Sequence, residues 1–132
     1  MDAIILAGGK GTRLAPYTTI FPKPLMPIGD MPILEVVLRQ LKSYGFTKVT
    51  MAVGYLSELV ETYFGNGSKY GIHIQYSREN EPLGTAGPLA MIENLTTPFL
   101  VMNGDILTTL NYTVLVNYHK EKKAIATIAM HQ

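Results

Sequence analysis

The chain has 132 residues, 47% hydrophobic and 16% charged, with a formal net charge of +1. That is enough for one compact domain with a real core, and it carries too little basic charge for generic binding of nucleic acid or a membrane surface. Cysteine is absent, which excludes disulfides, thiolate metal sites and cysteine nucleophiles together. Met1 and Asp2 run straight into the apolar stretch Ala3 to Ala7, too short and wrongly flanked for a signal peptide or a membrane span, so a cytoplasmic protein with a small, locally charged ligand is expected.

In chain order, Ala3 to Ala7 reads as a first strand. Leu34, Val37, Leu38 and Leu41 then recur at helical spacing, with Gly45 placed where a helix C-terminus wants a left-handed residue. Lys48 to Val53 reads as a second strand, and Ser57 can cap a helix running to Phe64. Ile72 to Tyr76 is a third strand, Ala86 to Leu95 a helical candidate and Phe99 to Met102 a fourth strand. Tyr112 to Lys123 is a further helix, and Ala124 to Met130 is the last strand. Alternation of this kind predicts a mostly parallel sheet covered on both faces by helices. One segment interrupts it. From Gly8 to Pro32 there is no apolar period, while four glycines and five prolines appear. Because this stretch leaves the carboxyl end of the first strand, where open parallel sheets hold their ligands, it reads as functional.

Gly8-Gly9-Lys10-Gly11-Thr12-Arg13 suits a phosphate cradle, since glycines let backbone N–H groups approach anionic oxygens and Lys10 and Arg13 add positive charge. It is not a P-loop, because Lys10 precedes a glycine. Nor is it the dinucleotide fingerprint, because Leu14 stands at the third glycine position. The plain alternative is a glycine-rich surface turn. Between Gly8 and Gly29 the only charged residues are Lys10, Arg13 and Lys23, with no Asp or Glu to neutralise them, as a loop meeting a triphosphate requires. Pro22 and Pro24 bracket Lys23 and are expected to hold it extended; the alternative is a solvated lysine in a proline-rich loop. Asp105, after the fourth strand, is placed to hold Mg²⁺, and equally reads as a turn residue after Gly104. In the loop Glu79 to Gly87, Gly84 allows a planar base to lie against the backbone, and the alternative is a strand-to-helix loop capped by Thr85. His73, His119 and His131 lack metal-ligand spacing.

Taken together, Leu6 to Leu14, Pro22-Lys23-Pro24-Leu25, Pro27-Ile28, Pro32-Ile33-Leu34-Glu35, Pro82-Leu83-Gly84-Thr85-Ala86-Gly87 and Gly104-Asp105 resemble the sugar-1-phosphate nucleotidyltransferase family. The blocks come in the family's order and cover nearly the whole chain. The Glu-Pro-Leu-Gly-Thr-Ala-Gly block looks most like mannose-1-phosphate guanylyltransferases. Molybdenum-cofactor guanylyltransferases share the opening but lack the Pro-Lys-Pro and Leu-Gly-Thr-Ala-Gly blocks. The resemblance implies a Rossmann-like α/β/α sandwich of the nucleotide-diphospho-sugar transferase type. It also implies the chemistry of NDP-sugar biosynthesis: a phosphate oxygen of a sugar-1-phosphate, mannose-1-phosphate or glucose-1-phosphate, attacks the α-phosphorus of a nucleoside triphosphate and expels Mg-pyrophosphate. By position, Arg13 and Lys23 match the basic residues that neutralise the triphosphate. Gly8, Gly9 and Gly11 match the backbone cradle, Leu6 and Ala7 line the nucleoside, and Gly84 faces the base. Thr12, Pro82 and Thr85 belong to the same nucleotide-binding blocks, and Asp105 matches a metal-binding aspartate. No protein nucleophile is needed, because such transfers rest on positioning and electrostatic stabilisation.

In the resembled family a later segment supplies the sugar-phosphate pocket, a lysine for the sugar phosphate and a second metal-binding aspartate. Residues 1–132 therefore read as the N-terminal nucleotide-binding portion of such a domain. The isolated chain is expected to bind nucleotide, to turn over slowly or not at all, and to self-associate or pair with a complementing second chain. A nucleotide-binding regulatory or assembly module, or one half of a split enzyme, is the competing reading.

Overall fold

A computed structural model describes residues 1–8, 22–81 and 83–131. Gly9, Lys10, Gly11, Thr12, Arg13 and Pro82, singled out above, lie outside the described residues.

The main sheet has four parallel strands, each meeting its neighbour in register. β1 (Asp2–Ala7) pairs with β4 (Lys48–Val53) on one side and β6 (Leu100–Asn103) on the other, and β5 (His73–Arg78) pairs with β4. A strand bonded on both edges and packed on both faces needs an unbroken apolar run, and Ala3, Ile4 and Ile5 are fully buried. Between β1 and β4 lie a short antiparallel hairpin, β2 (Pro27–Ile28) with β3 (Met31–Pro32), and the helix α1 (Ile33–Ser43). α2 (Ser57–Phe64) links β4 to β5, and α3 (Tyr112–Lys122) follows β6.

The main core lies on one face of the sheet. Ala3, Ile5, Ala7, Val49, Met51, Val53 and Ile74 present that face, and Leu34, Val37, Leu38 and Leu41 of α1 cover it with Val60 and Phe64 of α2 and Tyr112 of α3. α1 stops as expected: Tyr44 caps it, and Gly45, at φ 85°, takes the left-handed turn with its N–H donated to Lys42 O at 2.9 Å.

The sequence reading needs correction at five places. The Gly8 to Pro32 stretch is not wholly irregular, since residues 22–32 form a 3₁₀ turn and a hairpin whose Met26 O receives the Ile33 N–H at 2.9 Å. Lys23 is not extended: Pro22 has that geometry (φ −65°, ψ 144°), and Lys23 opens the 3₁₀ turn, which buries Pro24 and Leu25. Ser57 does not cap α2 through its side chain. Leu56, at φ 54°, precedes the helix, and Ser57 is buried with its N–H on Gly54 O at 3.2 Å. The helix expected over Ala86 to Leu95 is a 3₁₀ turn, Gly87–Met91, capped by neither Thr85 nor any other side chain. Pro88 in its first turn and an extended Ile92 (ψ 120°) keep it short. Finally, Ala124 to Met130 is not a strand. It has the apolar pattern but no ladder partner among the described residues, and Ile125, Ile128 and Met130 stand bare.

Tyr76 of β5 donates its hydroxyl to Gly65 O at 2.6 Å, and burial, with Glu61 nearby, pushes its pKa up to about 12. Because the folded state holds this proton more tightly than the unfolded chain, whose tyrosine titrates at the ordinary 10, its stabilising contribution is intact below pH 10. It is lost between pH 10 and about 12. Tyr76→Phe should leave the neutral-pH unfolding curve only modestly altered and make the alkaline decline shallower in urea titrations across that window. An unchanged alkaline slope would contradict the assignment.

Candidate active site

The chain visits β4 and β5 on one side of β1 and then returns to place β6 on the other. Neighbouring connections therefore diverge at the carboxyl end of β1, the place where open parallel sheets form a crevice. A cleft of about 860 Å³ opens there, within the size range of small-molecule sites. Its floor comes from the ends of all four strands: Leu6, Ala7 and Gly8 after β1, Ala52 and Gly54 at β4, Glu79 after β5, and Asn103 to Asp105 after β6. Lys23, Pro24, Leu83, Gly84 and Thr85 form walls.

The backbone around β1 is drawn close on both sides. Gly104 donates its N–H to Leu6 O at 3.0 Å, and a Cβ on Gly104 would lie 3.0 Å from Ile5 Cγ2, so the end of β6 is held tightly against β1. On the other side Glu79 continues the β5 ladder by donating its N–H to Val53 O at 2.9 Å, and its side chain crosses the tops of β4 and β1. A Cβ on Gly8 would overlap Glu79 Oε1, and one on Gly54 would stand 3.2 Å from both Glu79 Cγ and Gly8 O. The other carboxylate oxygen accepts the Leu83 N–H at 3.3 Å, tying the start of the β5 loop to its far wall. Glu79 thus joins three strand ends and keeps acceptor capacity toward the cleft.

Lys23 and Asp105 meet across the cleft. Lys23 Nζ lies 2.5 Å from Asp105 Oδ2, with the two side chains 36% and 31% exposed. At that exposure the pair is worth no more than about 1 kcal/mol, a contact that holds two side chains without holding the fold. Their backbones are fixed separately, Lys23 by the 3₁₀ turn closed by Leu25 N–H to Pro22 O at 3.0 Å and Asp105 by the Gly104 to Leu6 bond. As to a metal, among the described residues no three His, Asp or Glu side chains gather to hold one. Asp105 offers a single carboxylate already facing a cation, and one carboxylate completed by phosphate oxygens and water is a donor set Mg²⁺ accepts.

Most of the described residues singled out from the sequence therefore share this cleft: Leu6, Ala7, Gly8, Lys23, Gly84, Thr85 and Asp105 all line it. Gly84 adopts φ 74° with open space where a Cβ would be, so the position both demands glycine and leaves its face clear. Sequence reasoning missed Glu79 and Gly54. The signal was an acidic residue ending one strand while the two other strands beside it in the sheet order, β4 and then β1, run into glycine.

Residues 2–132 match the nucleotidyl transferase family model. The chain belongs to the nucleotidyl transferase family. It is 40% identical to a UTP–glucose-1-phosphate uridylyltransferase of Synechocystis, over 97% of this chain and 36% of that protein. A mannose-1-phosphate guanyltransferase of Yarrowia lipolytica is 41% identical over 97% of this chain and 37% of its own length. Among solved structures, a Bacillus anthracis protein assigned as a glucose-1-phosphate thymidylyltransferase, in complex with sucrose, superposes with a TM-score of 0.84 at 28% identity, over 93% of this chain and 51% of that one. The fold is thus the parallel α/β fold of these nucleotidyltransferases, and the chain spans little more than a third of the length of the curated relatives it matches.

The two floor glycines differ in what a methyl group would meet. At Gly8 it meets the mobile end of Glu79, whereas at Gly54 it also meets the Gly8 carbonyl. Gly8→Ala should therefore change stability by less than about 1 kcal/mol as the carboxylate swings aside, and Gly54→Ala should cost roughly 1–3 kcal/mol in urea unfolding. Equal costs, or the reverse order, would refute the packing described.

Proposed function

We propose that the cleft binds a nucleoside triphosphate, and that the protein transfers its nucleotidyl group to a sugar-1-phosphate, giving an NDP-sugar and pyrophosphate. The observation that supports this most is the convergence of Gly8, Glu79, Gly84, Lys23 and Asp105 on one cleft at the switch point of the sheet. In this reading Leu6 and Ala7 lie beneath the nucleoside, the face left clear by Gly84 takes the base, and Lys23 meets phosphate oxygens as a compact positive charge. Gly9, Gly11, Thr12 and Arg13, directly continuous with Gly8, are assigned to the phosphates, with Arg13 forking onto the outer ones, and Pro82 to the wall beside Gly84. Asp105 would hold Mg²⁺, which supplies charge neutralisation between the phosphates. The chain's residues fix the triphosphate and neutralise it; the reacting oxygen belongs to the sugar phosphate, so no side chain has to act as nucleophile. No helix among the described residues is long and apolar enough to cross a membrane, and we place the reaction in the cytoplasm. Self-association, or pairing with a second chain, is supported by the bare apolar side chains of Ile125, Ile128 and Met130.

Glu79 supports guanine as the base. A carboxylate only accepts, and guanine presents two adjacent donors, N1–H and the 2-amino group, on one edge. Uracil and thymine offer a single N–H flanked by carbonyls that a carboxylate repels. The guanyltransferase relative of Yarrowia lipolytica fits this choice, and mannose-1-phosphate is then the acceptor we favour over glucose-1-phosphate. Calorimetric titration with GTP and UTP in Mg²⁺ tests it. The wild type should prefer GTP, and Glu79→Gln should lose about tenfold in GTP affinity with little change for UTP, as expected when a charged hydrogen bond is removed. An unchanged GTP-to-UTP ratio would overturn the assignment of the base.

A further inference from the structure

The contact between Lys23 and Asp105 joins the two described side chains to which the proposed function gives different partners, one phosphate and the other a metal. No other described residue forms an ion pair with either. Both line the cleft, both are about one-third exposed, and each backbone is anchored without the pair. The ammonium is therefore free to leave without disturbing the turn that carries it. While it stays, it occupies Asp105 Oδ2 and neutralises the carboxylate that would attract a divalent cation.

We propose that Lys23 is the resting counter-cation of Asp105, and that nucleotide and metal enter by exchange: the phosphates draw Lys23 away as the divalent cation replaces it on the carboxylate. The inference rests on the nucleotide reading of the cleft and adds a coupling to it. A divalent cation arriving alone must compete with a tethered ammonium. A triphosphate arriving alone must take Lys23 and leave the Asp105 charge uncompensated beside its own. Each ligand removes the obstacle to the other, so their affinities are mutually enhanced, and the enhancement is reciprocal as any binding coupling must be. The charges involved are elementary and a few ångströms apart, a distance at which one unit charge is felt even in a water-filled cleft.

Two titrations on the full chain test this. The first uses Mn²⁺ alone, with free ion followed by electron paramagnetic resonance, on the wild type, Lys23→Met, Asp105→Asn and the double variant. Removing the tethered charge should tighten Mn²⁺ binding about tenfold in Lys23→Met, and the gain should vanish in the double variant. The second uses GTP with EDTA and then with Mg²⁺. Freed of its partner, Lys23 in Asp105→Asn should bind metal-free GTP more tightly than the wild type does, while in Mg²⁺ the order should reverse. If Asp105→Asn weakens Mn²⁺ binding but Lys23→Met does not strengthen it, the exchange is wrong and Asp105 remains a metal ligand. If Mn²⁺ binding is the same in all four proteins, both the exchange and the role of Asp105 fail. If the wild type binds no GTP in Mg²⁺, the nucleotide reading itself fails, and the exchange with it.

Discussion

The floor of the site hangs from β1, and β1 is fixed by being bonded along both edges while buried on both faces. Asp2 to Ala7 meet Lys48 to Val53 residue for residue, and Ala3 to Leu6 meet Leu100 to Asn103. Because side chains alternate between the faces of a strand, a slip of one residue between β1 and β4 would turn either Ile5 or Met51 off the face that α1 covers. Burying a side chain the size of Ile4 or Ile5 is worth roughly 1.5–3 kcal/mol, so the register is strongly held. That register sets how far each strand end projects. It brings Gly8 beside Gly54, Glu79 over both, and Gly104 against Ile5.

The second constraint is charge. The cleft is lined by three carboxylates, Glu79 and Glu81 after β5 and Asp105 after β6, in a fold proposed to receive a polyanion. Their placement resolves the apparent conflict. Glu79 sits at the β5 and β4 side, folded down over two glycines and bonded to Leu83 N–H, where a donor-rich base edge would meet it. Asp105 sits on the β6 side, paired with Lys23. In the proposed reading the cleft divides along the sheet into a base end and a phosphate end, with β1 between them.

Much of this was legible in the sequence because β1 and β4 bury both faces: Ala3 to Ala7 is a continuous apolar run, Lys48 to Val53 is apolar apart from Lys48 and Thr50, and the periodicity of α1 is strong. What failed did so for identifiable reasons. Ala124 to Met130 has a strand's composition, but a strand is a property of two segments, and no described neighbour pairs with it. The helix expected over Ala86 to Leu95 is cut to a 3₁₀ turn because Pro88 and the extended Ile92 set its length. At the site, no acidic residue of its own loop opposes Lys23; its partner Asp105 is distant in the chain and arrives through the β1–β6 pairing. Glu79 has no role legible from its loop, because its significance depends on which strands stand beside β5 in the sheet.

The central claim is that the carboxyl edge of the sheet is a nucleotide site whose base end and phosphate end lie on opposite sides of β1. The most direct measurement is a titration of the isotopically labelled chain with Mg·GTP, followed through backbone amide resonances. Shifts should concentrate at Gly8, Gly54, Glu79, Gly84 and Asp105, with Asp2 and Lys48, paired at the opposite end of β1 and β4, unmoved. Shifts centred instead on Tyr44, Phe46 and Tyr112, which line a smaller groove away from this cleft, or no saturable shifts at all, would contradict the account.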